Sequence, residues 1–140
     1  MRYKLFLLVF FLSFLSTACL ADEISIKAEV DKTKLTADET LRYRITVESG
    51  LKEIAAPEVA DFKGFTVASQ LQSSSVSVVK GVVKTTAAYT FILIPLETGK
   101  LTIEPSTIKV GQKIYSTQPF EIEVTGVPPG LDSKQPKTTL

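Results

Sequence analysis

Strict alternation of apolar and polar side chains is the feature that most limits how this chain can fold. Between residues 41 and 48, apolar side chains at Leu41, Tyr43, Ile45 and Val47 alternate with polar ones. A period of two places successive side chains on opposite faces of an extended strand. Residues 24–30 and 120–124 show the same pattern. The sequence therefore predicts half-buried β-strands, and no segment shows a convincing helical period.

Turn residues divide the alternating segments into short strands. Lys80-Gly81 and Gly111-Gln112 each separate two apolar runs, as the tight turn of a hairpin does. Pro57 favours an ordered loop over a helix between residues 51 and 62. About seven strands separated by such turns predict an all-β, immunoglobulin-like antiparallel β-sandwich in residues 22–125. Ile45 and Phe91, in the middle of the two clearest strands, are expected to face each other across its core.

The first 21 residues have the three parts of a secretory signal peptide. Arg2 and Lys4 are followed by an apolar run over residues 5–15 and then by small residues. The run is shorter than the roughly 20 residues that cross a bilayer. Cleavage after Ala21 would start the mature chain at Asp22. The alternative is a lipoprotein in which Cys19, the only cysteine, is lipidated and becomes the N-terminus.

The C-terminal segment and the overall charge narrow the possible functions further. Residues 126–140 are polar and proline-containing, which is typical of a flexible tail. The formal net charge of the whole chain is +1. A nearly neutral chain lacks the electrostatic footprint of a nucleic-acid-binding protein.

The residue types that most enzymes need are missing. The chain has no histidine, which removes the commonest general base and the usual nucleophilic triads and zinc sites. The acidic pair Asp38-Glu39 lies in a turn before a strand, where carboxylates commonly accept backbone hydrogen bonds. We therefore expect no catalysis, no cofactor, no metal and no small-molecule substrate.

Four side chains are candidates for binding a protein partner. Phe62 lies in a loop, where it either plugs the loop or presents a surface anchor. Tyr115 lies beside a hairpin turn and could be exposed. Arg42 and Arg44 lie on the polar face of the clearest strand and are expected in solvent.

The ordered set of short motifs along residues 24–125 resembles the N-terminal domain of BatD, the oxygen-tolerance family. The motifs that carry the resemblance are Ala28-Glu29-Val30-Asp31, Lys34-Leu35, Asp38-Glu39-Thr40, Pro57, Phe62-Lys63-Gly64-Phe65-Thr66-Val67, the serine-rich stretch at Ser73-Ser74-Ser75, Lys80-Gly81, Tyr89-Thr90-Phe91-Ile92-Leu93-Ile94-Pro95-Leu96, Thr98-Gly99, Ile103-Glu104-Pro105, Val110-Gly111-Gln112-Lys113 and Ser116-Thr117-Gln118-Pro119. No single motif is specific alone. The ordered set along residues 24–125 is much more informative.

The resemblance implies a non-enzymatic interaction module on the periplasmic side of the inner membrane. Its partners would be von Willebrand A-domain membrane proteins and a MoxR-type ATPase, in a system linked to aerotolerance and envelope stress. Membrane association would then come through those partners. The alternative is an exported adhesive or envelope ligand-binding sandwich, which the absence of tryptophan disfavours because few aromatic rings remain for stacking on sugars.

Overall fold

A computed structural model describes residues 24–126, which form nine β-strands and no helix. The strands are β1 (Ser25–Val30), β2 (Lys34–Thr36), β3 (Leu41–Ser49), β4 (Phe65–Val79), β5 (Val82–Pro95), β6 (Gly99–Ile103), β7 (Thr107–Val110), β8 (Lys113–Ser116) and β9 (Phe120–Thr125). The expected signal peptide, Cys19 and the tail beyond Gly126 lie outside the described residues. Within residues 24–126 we find no helix with the length and apolar character needed to cross a membrane.

The strands form a β-sandwich, as the alternation predicted. One sheet has the order β1-β3-β5-β4 and is antiparallel throughout. A second sheet has the order β2-β9-β6, and β7 and β8 form a separate hairpin. The strand count in the described segment exceeds the expected seven. One reason is β2, which pairs in parallel with β9 and has only three residues, too few for their alternation to identify a strand.

Both clearest strands supply the core, but from the same side of it. Ile45 and Phe91 are buried, as predicted. They lie on adjacent strands of the four-stranded sheet, where Ile45 pairs with Tyr89 and Tyr43 pairs with Phe91. The expectation that they face each other across the core is therefore wrong. The alternation identified the inward face of each strand, and it could not identify the sheet to which the strand belongs. Buried residues of the second sheet complete the core: Leu35, Leu101, Ile103, Ile122 and Val124.

Buried polar side chains hold the long loop 50–64 against this core. The Ser106 side chain is fully buried, and its hydroxyl lies 3.1 Å from the Tyr43 hydroxyl. The same Ser106 hydroxyl accepts a hydrogen bond from the backbone N–H of Ala60 at 3.1 Å. The Ser106 N–H donates to the Thr117 hydroxyl at 2.8 Å. Residues 51–62 form a loop without a helix, as Pro57 indicated, and this network ties the loop to the core at Ala60.

The serine-rich stretch lies within β4, one continuous strand of 15 residues. The two predicted hairpin turns are also present. At the β4–β5 turn, Lys80 has φ 52° and Gly81 has φ 77°, which is the backbone of a type I′ turn. Strand β3 ends at Ser49 opposite Thr85. The part of the hairpin between Thr85 and the Lys80-Gly81 turn therefore extends past the rest of the sheet and consists of β4 and β5 alone.

Candidate protein-interaction surface

The outer face of the four-stranded sheet faces solvent. Along β3, Tyr43 and Ile45 point into the core, so the alternating neighbours Arg42 and Arg44 point the opposite way. Both arginine side chains are exposed, as predicted. The second sheet packs on the inner face only. The outer face is therefore a broad surface built on a regular backbone.

Apolar side chains from neighbouring strands lie beside the two arginines. Arg42 is opposite Ile92 in β5, and Arg44 is opposite Thr90, which in turn is opposite Leu71 of β4. Directly opposite side chains in antiparallel strands have Cβ atoms about 4.5–5.5 Å apart. Leu71 is 67% exposed and Ile94 is 38% exposed, while Ile92 is half-buried. We call Arg42, Arg44, Leu71, Ile92 and Ile94 together the basic–apolar patch.

The electrostatics of this face leave the arginines available. Two ion pairs lie on the same sheet: Lys27 with Glu29 at 2.8 Å, and Lys84 with Glu48 at 3.2 Å. No ion pair between described residues involves Arg42 or Arg44. The hydrogen bond and charge of Lys27, with a smaller contribution from Arg44, hold the pKa of Glu29 below its usual range. Glu29 therefore remains a carboxylate at neutral pH and is already engaged by Lys27.

The two aromatic candidates are less available than the arginines. Phe62 is half-buried, and its ring centroid lies 5.4 Å from that of Tyr43 and 5.3 Å from that of Phe91. Its ring therefore plugs the loop against the core. Tyr115 is also half-buried and packs on the core cluster. The structure does not bring either ring together with the basic–apolar patch.

In the acidic turn Asp38-Glu39, the carboxylates accept hydrogen bonds, as the position of the pair before a strand predicted. The Thr36 N–H donates to Glu39 Oε2 at 2.8 Å, and the Thr36 hydroxyl donates to Asp38. The backbone N–H of Thr36, then its hydroxyl and the charge of Lys32, lower the pKa of Glu39. In residues 24–126 no group of three or more His, Cys, Asp or Glu side chains is placed to hold a metal ion.

Sequence reasoning missed the apolar part of the patch. Ile92 and Ile94 alternate with the inward residues Phe91 and Leu93, so the segment reads as an unbroken apolar run. Such a run indicates that both faces of a strand carry apolar side chains. That signal was sufficient to predict an apolar outer face. Leu71 is isolated among polar residues and gave no comparable signal.

Comparison with known proteins gives one match. The family model described as the BatD DUF11 like domain matches residues 28–124. No curated protein and no solved structure matches the chain at a significant level. The matched residues run from β1 to β9 and include both sheets and the basic–apolar patch. The chain therefore belongs to the BatD family, and residues 28–124 are its DUF11-like domain.

Proposed function

We propose that this domain is a non-enzymatic interaction module on the periplasmic side of the inner membrane. Its partners in this proposal are von Willebrand A-domain membrane proteins that act with a MoxR-type ATPase in aerotolerance and envelope stress. Membership of the BatD family supports the general role as a BatD-type module. The specific partners and the location follow from the resemblance and from the expected signal peptide.

The observation that carries the proposal is the basic–apolar patch. Arginine is enriched in protein interfaces because its guanidinium combines directional hydrogen bonds with a weakly hydrated planar surface. Binding energy in interfaces concentrates where such groups surround an apolar centre from which water is excluded. Arg42 and Arg44 beside Ile92 and Ile94 provide this combination on a rigid sheet. The complementary partner is a protein surface with carboxylates around an apolar contact.

The test is direct binding between this protein and a von Willebrand A-domain protein encoded near it. We expect saturable binding that weakens as salt rises, because exposed charges are screened. Reversing both charges with Arg42→Glu and Arg44→Glu should weaken binding at least tenfold. The matched control is Lys109→Glu with Lys113→Glu, which makes the same charge change at two exposed positions of the β7–β8 hairpin. The control should bind like the parent.

Other outcomes would contradict the proposal. Equal weakening by both double variants would show that only the net charge matters. Failure to bind any von Willebrand A-domain protein, together with binding to envelope glycan, would favour the adhesive alternative.

A further inference from the structure

Strand β4 has one edge without a partner in the described part of the chain. It lies at the end of the sheet order β1-β3-β5-β4, so β5 occupies one side and the other is open. The open edge is 15 residues long, against six residues for β1 at the opposite end of the sheet. All β4 side chains after Phe65 are exposed.

The hairpin geometry identifies which backbone groups point outward along this edge. Val79 and Val82 flank a two-residue turn, so they form a hydrogen-bonded pair. Pairs along an antiparallel ladder then alternate between bonded and non-bonded. Residues in the non-bonded pairs direct both their N–H and C=O away from β5. In the regular part of β4, beyond the irregularity between Val67 and Ser69, these are Gln70, Gln72, Ser74, Val76 and Val78.

This edge has none of the usual protection against pairing with another strand. Proteins commonly block an open edge with lysine, proline or a short strand. Residues 65–79 contain no charged residue and no proline. By contrast, the opposite edge strand β1 carries Lys27 and Glu29. A single irregularity between Val67 and Ser69 leaves eleven residues of regular strand, from Ser69 to Val79, towards the turn.

The end of the β4–β5 hairpin also has exposed apolar side chains. Val76, Val78, Val79 and Val82 are 59–67% exposed. This part extends beyond β3 as two strands, and an isolated two-stranded hairpin is only marginally stable in water. Val76 and Val78 lie on one face of the hairpin and Val79 and Val82 on the other, so apolar side chains are exposed on both faces.

We propose that the occupant of this edge is a second copy of the chain, paired antiparallel through β4 about a two-fold axis at Ser74. In this register Gln70 is opposite Val78 of the other copy, Gln72 is opposite Val76, and Ser74 is opposite itself. Every outward N–H and C=O of the regular segment then finds a partner, giving about ten inter-copy hydrogen bonds. The two four-stranded sheets become one continuous sheet.

The choice of a second copy rests on the charge and the geometry of the strand. A two-fold axis at Ser74 places only the residues close to it beside their own equivalents, so a charge there would meet a like charge. A strand without charges avoids this repulsion. The register also lays the projecting hairpin of each copy beside Gln70 and Gln72 of the other copy. Each two-stranded hairpin thereby gains the third strand that it lacks.

The test combines sedimentation velocity with residue-resolved amide exchange on the purified protein. We expect a monomer–dimer equilibrium, with protection of Gln72, Ser74 and Val76 amides that increases with protein concentration. The amides of Ser73 and Ser75 bond to β5 and should be protected at every concentration. Ser74→Pro removes one outward N–H per copy and no bond to β5, so it should weaken dimerisation at least tenfold. Ser74→Thr, the matched control, keeps the N–H and should dimerise like the parent.

Ser74→Lys is a second variant in case proline disturbs the hairpin. It keeps the N–H but places two lysines at the axis, and the dimer should weaken most at low salt. Circular dichroism should confirm that each variant is folded. The proposal is overturned by a parent protein that stays monomeric at high concentration, or by open-ended assembly beyond a dimer. Equal dimerisation of Ser74→Pro and Ser74→Thr would also overturn it.

Discussion

Tyr43 connects three parts of the molecule through one side chain. It is fully buried on β3, and its ring lies edge-on to Phe62 of the long loop and to Phe120 of β9. Its hydroxyl lies within hydrogen-bonding distance of Ser106 at 3.1 Å. Buried tyrosines need such a partner because an unpaired hydroxyl in the core costs free energy. The side chain thus links the four-stranded sheet, the loop and the second sheet.

Truncating a core residue beside Tyr43 should be far more damaging than truncating an arginine on the other face. Ile45→Ala and Phe91→Ala each remove a buried side chain and should lower the free energy of unfolding by roughly 2–5 kcal/mol. Arg42→Ala should change it by no more than about 0.5 kcal/mol, because the side chain is exposed. Urea unfolding curves measure all three. If Phe91→Ala unfolds like the parent, our assignment of the inward face of β5 is wrong.

At the scale of elements, two turns depend on glycine for different reasons. Gly64 and Gly81 both have positive φ, +82° and +77°, which side chains with a Cβ rarely adopt. A Cβ on Gly64 would lie 2.8 Å from Leu101 Cδ2, whereas nothing lies within 4 Å of a Cβ on Gly81. Leu101 is buried in the second sheet. The turn before β4 is therefore tied to the core, and the turn after β4 is not.

This difference predicts unequal effects of the same substitution. Gly81→Ala introduces backbone strain alone and should destabilise the fold by about 1–2 kcal/mol. Gly64→Ala adds displacement of Leu101 and should cost about 1–3 kcal/mol more. Thermal melts of the two variants provide the measurement. Equal melting temperatures would show that Gly64 does not pack against the core.

Most strands could be predicted from the sequence, and the exceptions have physical reasons. Half-buried strands such as β3 alternate clearly because one face meets the core. Strand β4 is exposed on both faces after Phe65, so its serine run carries no alternation from which a continuous strand could be predicted. The parallel pairing of β2 with β9 joins segments far apart in sequence, and no local pattern encodes it. The positions of Arg42 and Arg44 were predictable, but the strand order that places Leu71 on the same face as Arg44, on the far side of Thr90, was not.

At the scale of the whole molecule, the two faces of the four-stranded sheet differ in burial. The inner faces of β3 and β5 are buried in the core and provide the stability. The outer face carries the basic–apolar patch, and the edge of β4 provides the proposed dimer contact. Arg42, Arg44, Ile92 and Ile94 lie on β3 and β5, away from the β4 edge, so substitutions of these four residues should alter partner binding without unfolding the domain or changing its oligomeric state.

The most direct test of the interaction role is the position of the bound partner on the sheet. With isoleucine methyl groups labelled, a von Willebrand A-domain protein encoded nearby should shift the NMR signals of Ile92 and Ile94. The signals of Ile103 and Ile122, which are buried, should not shift. The signal of Ile114, which is 67% exposed on β8, should not shift either. Shifts at Ile114 with none at Ile92 and Ile94 would contradict the account, because the partner would then bind away from the basic–apolar patch.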